Sequence, residues 1–327
     1  MENSLLSKRL SSKSNIRAVN TRHDLTGIAD LIELCFARTL DADGRQYVHN
    51  LRLAAHNPAP FEWLNVNDPQ AAIPGGFVWL ENGRVIGNLT LIPHYQSAFS
   101  QKERRYLIAN VAVHPDYRRR GIARDLTATA LACILNNNQS PPWLHVRDDN
   151  PVAYDLYQSL GFVECFRRTT WHTNAEFFPL ELRKYLSTVS RKNRHWRSQK
   201  KWFTETYPLA MTWFLSINED LLCPGLRSFI LRLFRDVYLR QWAAMDEDEL
   251  VGVISWQPTH GFSDCLWLAV DPKKETDAIP ALLACIYERF DSHRVLALDY
   301  PYSRAVQTLQ QSGFHQHHTL IWMQYRP

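Results

Sequence analysis

A predicted strand, a basic turn and the start of a predicted helix follow one another between residues 111 and 124. The β-branched strand ends at His114-Pro115, and the turn after it contains Gly121. Such a turn directs several backbone N–H groups and the positive end of a helix dipole towards one point. The sequence therefore predicts a binding site for an anion, above all for a phosphate group.

The turn has the pattern Arg-x-x-Gly-x-Ala over residues 118–123. Gly121 lets a ligand approach the backbone closely, and Ala123 adds little bulk. Positive charge around the anion would come from Arg118, Arg119, Arg120 and Arg124. Alone, this pattern is also typical of an ordinary solvated turn, so the functional interpretation depends on a second motif.

The second motif, at residues 144–162, contains Asn150, Ala153, Leu156-Tyr157 and Leu160-Gly161-Phe162. Together the two motifs resemble the GCN5-related N-acetyltransferase (GNAT) family, in which N-x-x-A-x-x-L-Y-x-x-L-G-F follows the Arg-x-x-Gly-x-Ala turn. The resemblance is strongest over residues 84–172 and looser over residues 16–80. It implies binding of acyl-CoA and says little about the acceptor.

The resemblance implies acetyl-CoA as the cosubstrate and no metal. In such a site the backbone of the strand that precedes the basic turn pairs with the pantetheine arm, and the amides of residues 119–124 hold the pyrophosphate. Asn150 would contact the pantetheine side. The cofactor-binding residues expected from the resemblance are Val111, Ala112, Val113, Arg118, Arg119, Arg120, Gly121, Ile122, Ala123, Arg124, Asn150 and Tyr157.

Tyr157 is expected, by the same resemblance, to lie near the sulfur and to protonate the departing thiolate. A phenol with an ordinary pKa of about 10 is a reasonable acid for that step. The alternative is a helix tyrosine that packs its ring and turns its hydroxyl to water.

The general base is harder to identify. Many family members carry Glu in the strand that precedes the basic turn. Here Ala109 occupies that position, so the carboxylate is missing. Members that act on protein N-termini can carry Glu at the position of His145, and histidine titrates near neutral pH. An ordinary strand histidine is the alternative for His145, and His94 or a water relay to Asp148 or Glu164 are other candidates for the base.

The elements that position these residues have the order β-α-α-β-β-β-α-β-α-β-β, ending near residue 172. The hydrophobic periodicity and the Asn-Gly hairpin signal support this order. The expected fold is α/β, with a mixed, mostly antiparallel sheet flanked by helices. Predicted helices lie at 24–37, 43–55, 121–135 and 152–160; predicted strands lie at 16–19, 76–80, 84–92, 106–113 and 143–146, with a final pair over 162–172.

A weak internal repeat predicts two tandem copies of this fold. Three short segments recur later in the chain in the same order. They are residues 85–87, 112–115 and 160–162, which are similar to residues 250–252, 269–272 and 312–314. The predicted division is an acetyl-CoA-binding domain at 14–175, a basic and aromatic connecting segment at 176–208, and a second acetyltransferase-like domain at 209–327.

The second copy departs from the motif. Glu275, Ala278 and Pro280 stand where the first copy has arginine, glycine and alanine, and Leu309 stands where it has Tyr157. This copy therefore lacks both the phosphate-binding turn and the acid. We expect a degenerate domain that does not bind coenzyme A.

Composition limits the other functions. The chain has 327 residues and a formal net charge of +4, far from a nucleic-acid-binding composition. The run at residues 191–201 interleaves basic and aromatic side chains, so a nucleic-acid tether is the alternative to an exposed connecting helix. No apolar run is long enough to predict a membrane partner. Six scattered cysteines and no secretory signal predict a cytoplasmic protein with reduced thiols.

The predicted function is an N-acetyltransferase that moves an acetyl group from acetyl-CoA to an amine. Direct attack in a ternary complex is expected, because neither motif contains a cysteine that could relay the group. The acceptor is a small-molecule or peptide amine. The alternative is a module that binds acyl-CoA as a sensor or scaffold without turnover. The oligomeric state is left open.

Overall fold

The computed structural model describes residues 15–56, 75–97, 100–173, 186–289 and 294–327. The chain divides into two compact units, one of residues 1–166 with 321–327 and the other of residues 167–320. The first residue of the predicted first domain and the start of the predicted connecting segment lie outside the described residues.

The first unit contains the predicted helices, and its strands follow the predicted order as far as residue 162. Its helices are α1 (Leu25–Phe36), α2 (Ala42–His56), α3 (Ile122–Asn136) and α4 (Pro151–Gln158). Its strands are β1 (Ile16–Ala18), β2 (Gly76–Glu81), β3 (Arg84–Ser97), β4 (Ser100–Val113), β5 (Trp143–Arg147) and the beginning of β6 (Phe162–Thr173).

The expected pair of strands over residues 162–172 is wrong, because β6 is a single strand. Residues 162–173 contain no glycine or proline that would start a turn, so the chain stays extended. The missing strand of the first unit comes instead from residues 321–325, the end of β12 (Phe314–Tyr325), which lie between β5 and β6. The Tyr325 amide donates to Pro142 at 3.0 Å and the Arg326 amide donates to Gly161 at 2.9 Å.

The sheet of the first unit is mixed and mostly antiparallel. Its strand order is β1-β2-β3-β4-β5, then residues 321–325, then β6, and β4 and β5 pair in parallel. Alternate residues of β2 enter different cores: Phe77 and Trp79 pack with residues of α3 and α4, whereas Val78 packs with residues of α1 and α2. Because successive strand residues point to opposite faces, the helices cover both faces of the sheet.

The second unit has its own helices and sheet. Its helices are α5 (Trp196–Thr206), α6 (Leu209–Thr212), α7 (Glu219–Leu222), α8 (Leu226–Phe234), α9 (Glu275–Arg289) and α10 (Val306–Gln311). The strand order is β7 (Ser187–Ser190), β8 (Arg240–Asp246), β9 (Glu249–Gln257), β10 (Ser263–Val270) and β11 (Val295–Pro301), followed by residues 167–173 and then 314–320.

Equivalent contacts in the two units confirm the predicted tandem repeat. A Cβ atom at Gly87 would lie 2.8 Å from the Ile122 side chain at the start of α3, and one at Gly252 would lie 3.1 Å from Leu282 of α9. Each glycine therefore lets a helix pack closely on the strand that carries it.

Hydrogen bonds at the strand ends repeat as well. The His114 amide donates to Ile86 at 2.9 Å, and the Asp271 amide donates to Val251 at 3.0 Å. These are the two His/Asp-Pro positions of the sequence repeat. Both units thus have one architecture, and the fold class expected from the sequence is confirmed.

The basic run at residues 191–201 lies in the second unit. It includes a short 3₁₀ turn at Asn193–His195 and most of α5, which buries Trp202 and Phe203 in that unit's core. Lys200 pairs with Glu219 at 2.8 Å. The six cysteines are free thiols. Among the described residues, no helix is long and apolar enough to cross a membrane.

Candidate cofactor site

A bulge in β4 opens the site. The pairing of β3 with β4 passes from Asn88–Ala112 to Thr90–Ala109, so β4 carries one extra residue opposite Leu89. Within the bulge Asn110 has a φ of 50°, in the left-handed region. A bulge bends its strand and disrupts the pairing of the strand locally.

The pairing of β4 with β5 ends where the bulge begins. The two strands pair at Leu107–Trp143 and Ile108–Leu144, both before the bulge. Beyond it, residues 111–113 line a cavity of about 960 Å³. The bulge therefore places one edge of β4 against open space instead of against β5.

The cavity wall brings together every predicted cofactor-binding residue except Arg120. It is formed by Cys35, Phe36, Arg38, Thr39, Val111, Ala112, Val113, Tyr117, Arg118, Arg119, Gly121, Ile122, Ala123, Arg124, Arg147, Asp149, Asn150, Val152, Ala153, Leu156 and Tyr157. The guanidinium of Arg120 lies over the Tyr117 ring, 4.7 Å from its centroid.

The basic turn has the geometry of an anion site. Arg119 and Gly121 have positive φ values of 60° and 80°, and α3 begins immediately after Gly121. The first amides of a helix have no acceptor within the helix, and they carry the positive end of its dipole. The amides at the start of α3 are therefore placed to bind a phosphate group at the cavity wall.

The edge of β4 offers backbone groups to a ligand. The His114 amide bonds to β3, so the alternation of an antiparallel pair turns the Val113 carbonyl to the other edge. There it accepts hydrogen bonds from Arg118 Nε at 3.2 Å and from the Cys35 thiol at 3.3 Å. Val111, two residues earlier, presents its backbone to the same side.

Asn150 has a structural role that the resemblance did not imply. It caps α4, because its side-chain oxygen accepts a hydrogen bond from the Ala153 amide at 3.1 Å. Satisfying this amide stabilises the first turn of the helix that also lines the cavity. On α3, Arg124 is held by a 2.6 Å hydrogen bond to Ser159.

Tyr157 lies in the cavity wall with 7% of its surface exposed. Its ring packs edge-on against Phe162, with 6.0 Å between centroids. Burial raises the pKa of the Tyr157 phenol well above its ordinary value. The hydroxyl therefore keeps its proton at physiological pH and is a hydrogen-bond donor at the cavity.

His145 lies elsewhere. It is not among the described residues that line the cavity, and its ring lies 5.2 Å from that of Trp322. It alternates along β5 with the core residues Leu144 and Val146, so it points to the opposite face. Burial lowers the pKa of His145 to about 4. The imidazole is thus neutral at pH 7 and weakly basic.

The other candidate bases are also outside the cavity wall that the described residues form. His94 pairs across the strands with Arg105. Glu164 accepts a hydrogen bond from the Tyr154 hydroxyl at 3.1 Å. The structure therefore brings Tyr157 to the cavity and brings none of His145, His94, Asp148 or Glu164 to it.

Sequence reasoning missed part of the cavity wall. The end of α1 and the residues after it contribute Cys35, Phe36, Arg38 and Thr39. The apolar periodicity of α1 indicated only its core face, so nothing local marked its end as functional. Arg147 and Asp149, which form a 2.9 Å ion pair beside the second motif, were also missed.

The equivalent helix start in the second unit holds an internal carboxylate. Glu275, in the first turn of α9, lies 2.7 Å from Arg304 Nε and accepts a hydrogen bond from the Tyr300 hydroxyl. Its side chain is 12% exposed. The Arg304 guanidinium and the Tyr300 hydroxyl are thus both paired with the carboxylate of Glu275.

Comparison with known proteins gives a family for part of the chain. Residues 39–162 match the model of the Acetyltransferase (GNAT) family. The ribosomal protein bS18-alanine N-acetyltransferase of Escherichia coli strain K12 is 36% identical over 67 residues, which cover 20% of this chain and 45% of that protein. The Salmonella typhimurium protein of the same name is 37% identical, with the same coverage. The chain thus spans less than half the length of these curated relatives.

Solved structures match almost the whole chain. The GCN5-related N-acetyltransferase from Sphaerobacter thermophilus has a TM-score of 0.58 at 15% identity, covering 95% of this chain and 96% of that one. A tandem GNAT protein from the clavulanic acid biosynthesis pathway has a TM-score of 0.53 at 16% identity, covering 95% and 98%. At such low identity these matches show that the fold is that of a tandem GNAT protein.

Proposed function

Because residues 39–162 match the model of the Acetyltransferase (GNAT) family, we propose that the chain is an acyltransferase that moves the acetyl group of acetyl-CoA to an amine. The observation that carries the proposal is the cavity at the β4 bulge. It combines the open backbone edge of β4, the helix start after Gly121 and the Tyr157 hydroxyl in one wall.

Each part of the wall has a chemical task in this proposal. The amides after Gly121 and the nearby arginines bind the pyrophosphate, and the backbone of Val111 and Val113 pairs with the pantetheine arm. The amine attacks the thioester carbonyl directly, and the bond from carbon to sulfur breaks. Tyr157 donates its proton, or a hydrogen bond, to the sulfur as it leaves.

A separate group must take the proton that the attacking amine releases as the amide forms. His145 stays a prediction, and its position outside the described cavity wall and its lowered pKa count against it. A base works best with a pKa near the operating pH, so a group with a pKa of about 4 removes little of the barrier at pH 7.

We further propose that only the first unit binds acetyl-CoA. In support, the second unit carries the carboxylate of Glu275 in the first turn of α9, where Arg304 and Tyr300 hold it. A carboxylate at this position satisfies the helix dipole internally and repels a second anion. In this proposal the second unit has a structural role and does not bind acetyl-CoA.

The acceptor is a small-molecule or peptide amine in this proposal. The Escherichia coli relative is named for its action on an alanine of a ribosomal protein, which makes a peptide amine one class to test. A cytoplasmic location is proposed with it, since six free thiols are typical of a reducing compartment.

Calorimetry with acetyl-CoA, followed by thiol release with a panel of amines and peptides, tests the proposal. We expect one acetyl-CoA per chain and amine-dependent release of free coenzyme A. Absence of acetyl-CoA binding overturns the proposal, and two binding sites per chain overturn the assignment of the second unit. Binding without turnover on any amine favours the alternative, an acyl-CoA-binding sensor, to which Ala109 in place of a carboxylate also points.

A further inference from the structure

The bulge that opens the cofactor cavity depends on an unfavourable backbone conformation. Asn110 has a φ of 50°, in a region that residues other than glycine rarely adopt, although asparagine is among those that tolerate it. Two side chains hold Asn110 from opposite ends. Its carbonyl accepts from Asn88 Nδ2 at 3.0 Å, and its side-chain amide donates to the Tyr47 hydroxyl at 3.2 Å.

Asn88 is buried, with 1% of its surface exposed. Its Nδ2 also lies 3.4 Å from Thr90 Oγ1, a weaker contact. Its Oδ1 is buried and has no hydrogen-bond donor among the described residues. Because the Asn110 carbonyl can only accept, the nitrogen of the Asn88 amide must face it, and exchanging the amide atoms would set two acceptor oxygens against each other.

A buried carbonyl without a donor destabilises a fold, and an apolar side chain of similar size would avoid that cost. Asn88 is therefore poorly suited to stability and well suited to fixing the bulge. Asn88 pairs across the strands with Ala112. The residues on either side of Ala112 are Val111 and Val113, whose backbone groups face the cavity.

We infer that Asn88 is a positioning residue of the cofactor site: its carboxamide holds the β4 bulge at Asn110 so that the backbone of Val111 faces the cavity. The inference rests on the proposed function, because it assumes that the acetyl thioester is bound along this edge. Asn88 does not touch the cofactor and acts through Asn110.

Replacing Asn88 with Leu tests the inference, since Leu fills a similar volume without a donor or an unpaired oxygen. For Asn88→Leu we expect at least a tenfold rise in the Kd for acetyl-CoA, measured by calorimetry at a temperature where the thermal melt shows that the variant is folded. A residue with a merely structural role gives the opposite result, a lower midpoint with unchanged affinity in the folded fraction.

A second substitution makes the test independent of how well the leucine packs. Glycine adopts positive φ without a side chain to hold it, so Asn110→Gly in the Asn88→Leu background should restore most of the affinity for acetyl-CoA. The matched control is Asn138→Gly in the same background. Asn138 also has a left-handed φ, of 54°, but it lies at the end of α3 and is not in the described cavity wall, so it should restore nothing.

The outcomes separate this inference from the proposed function. A wild-type chain that does not bind acetyl-CoA defeats the function itself. A wild-type chain that binds acetyl-CoA, together with an Asn88→Leu variant that binds it equally well, overturns only the role of Asn88. A loss of affinity that Asn110→Gly and Asn138→Gly restore equally, or that neither restores, also overturns it.

Discussion

Arg118 Nε donates a 3.2 Å hydrogen bond to the carbonyl oxygen of Val113, so the basic turn is tied to the strand edge that faces the cavity. One side chain thus joins the two parts of the site that would bind the pyrophosphate and the pantetheine arm. The Cys35 thiol contacts the same carbonyl at 3.3 Å. The Arg118 side chain therefore connects the basic turn to the backbone edge of β4 through a hydrogen bond.

Replacing Arg118 with Ala should weaken acetyl-CoA binding by about 10-fold to 100-fold, the usual range for one charge-assisted hydrogen bond. The affinity should also depend less on salt, because one cation near the phosphates is lost. Calorimetry at two salt concentrations measures both effects. The control is Arg84→Ala, at the exposed first position of β3. Tighter binding by the Arg118 variant would show that this side chain obstructs the edge of β4 instead of serving the site.

The glycine of the basic turn gives a second prediction with a close internal control. Gly121 and Gly83 have φ values of 80° and 78°, and a Cβ at either position meets nothing closer than 4.0 Å. Alanine at each should therefore cost a similar strain of about 1–2 kcal/mol in unfolding free energy. We expect Gly121→Ala alone to lower the affinity for acetyl-CoA, by tenfold or more, since only that turn binds the phosphate.

Thermal or urea unfolding and calorimetry on the two glycine variants separate stability from binding. Equal losses of affinity in both would mean that backbone strain acts on the cavity indirectly, and the turn would lose its special role. Unchanged affinity in Gly121→Ala would contradict the anion site altogether.

Local sequence predicted the parts of the site that depend on neighbouring residues. Gly121 takes the left-handed conformation expected of a glycine in a tight turn, and α3 begins directly after it, as the strand-turn-helix pattern predicted. The tandem repeat was also visible, because close packing of helix and strand requires glycine at both Gly87 and Gly252.

Non-local features were not predictable in the same way. Residues 321–325 complete the sheet of the first unit although they are far from it in the chain. The Trp322 ring beside His145 follows from that arrangement, so the environment that lowers the pKa of His145 had no local signal. The bulge at Asn110 likewise depends on Asn88 and Tyr47, which belong to other elements.

Tyr157→Phe should lower kcat by about 100-fold or more, a typical effect of removing a general acid, with little change in the Kd for acetyl-CoA. Because burial raises the pKa of Tyr157, the wild-type enzyme should keep this proton donor, and show no loss of activity from its ionisation, up to at least about pH 10. Thiol release measured against pH checks both expectations.

The matched control for Tyr157 is Tyr154→Phe on the same helix. Tyr154 donates its hydroxyl hydrogen to Glu164 and is not in the described cavity wall. An equal fall in kcat for both variants would assign the effect to α4 packing. An unchanged kcat for Tyr157→Phe would remove the acid from the mechanism.

His145 should make stability depend on pH. Its pKa is about 4 in the folded chain and about 6.5 when unfolded, so the unfolded state binds more protons between these values. The contribution is therefore present above pH 6.5 and is lost as the pH falls towards 4, with a slope of at most about 1.4 kcal/mol per pH unit.

His145→Phe removes this titration and keeps an aromatic ring against Trp322. Urea unfolding at several pH values from 4 to 7 should show a slope of unfolding free energy that is shallower in the variant than in the wild type. His49→Phe, at an exposed position of α2, should leave the wild-type slope unchanged. If the slope survives in His145→Phe, the ring is not held neutral by burial, and the argument against His145 as the base loses its electrostatic part. Its place outside the described cavity wall would then be the remaining reason to look for the base elsewhere.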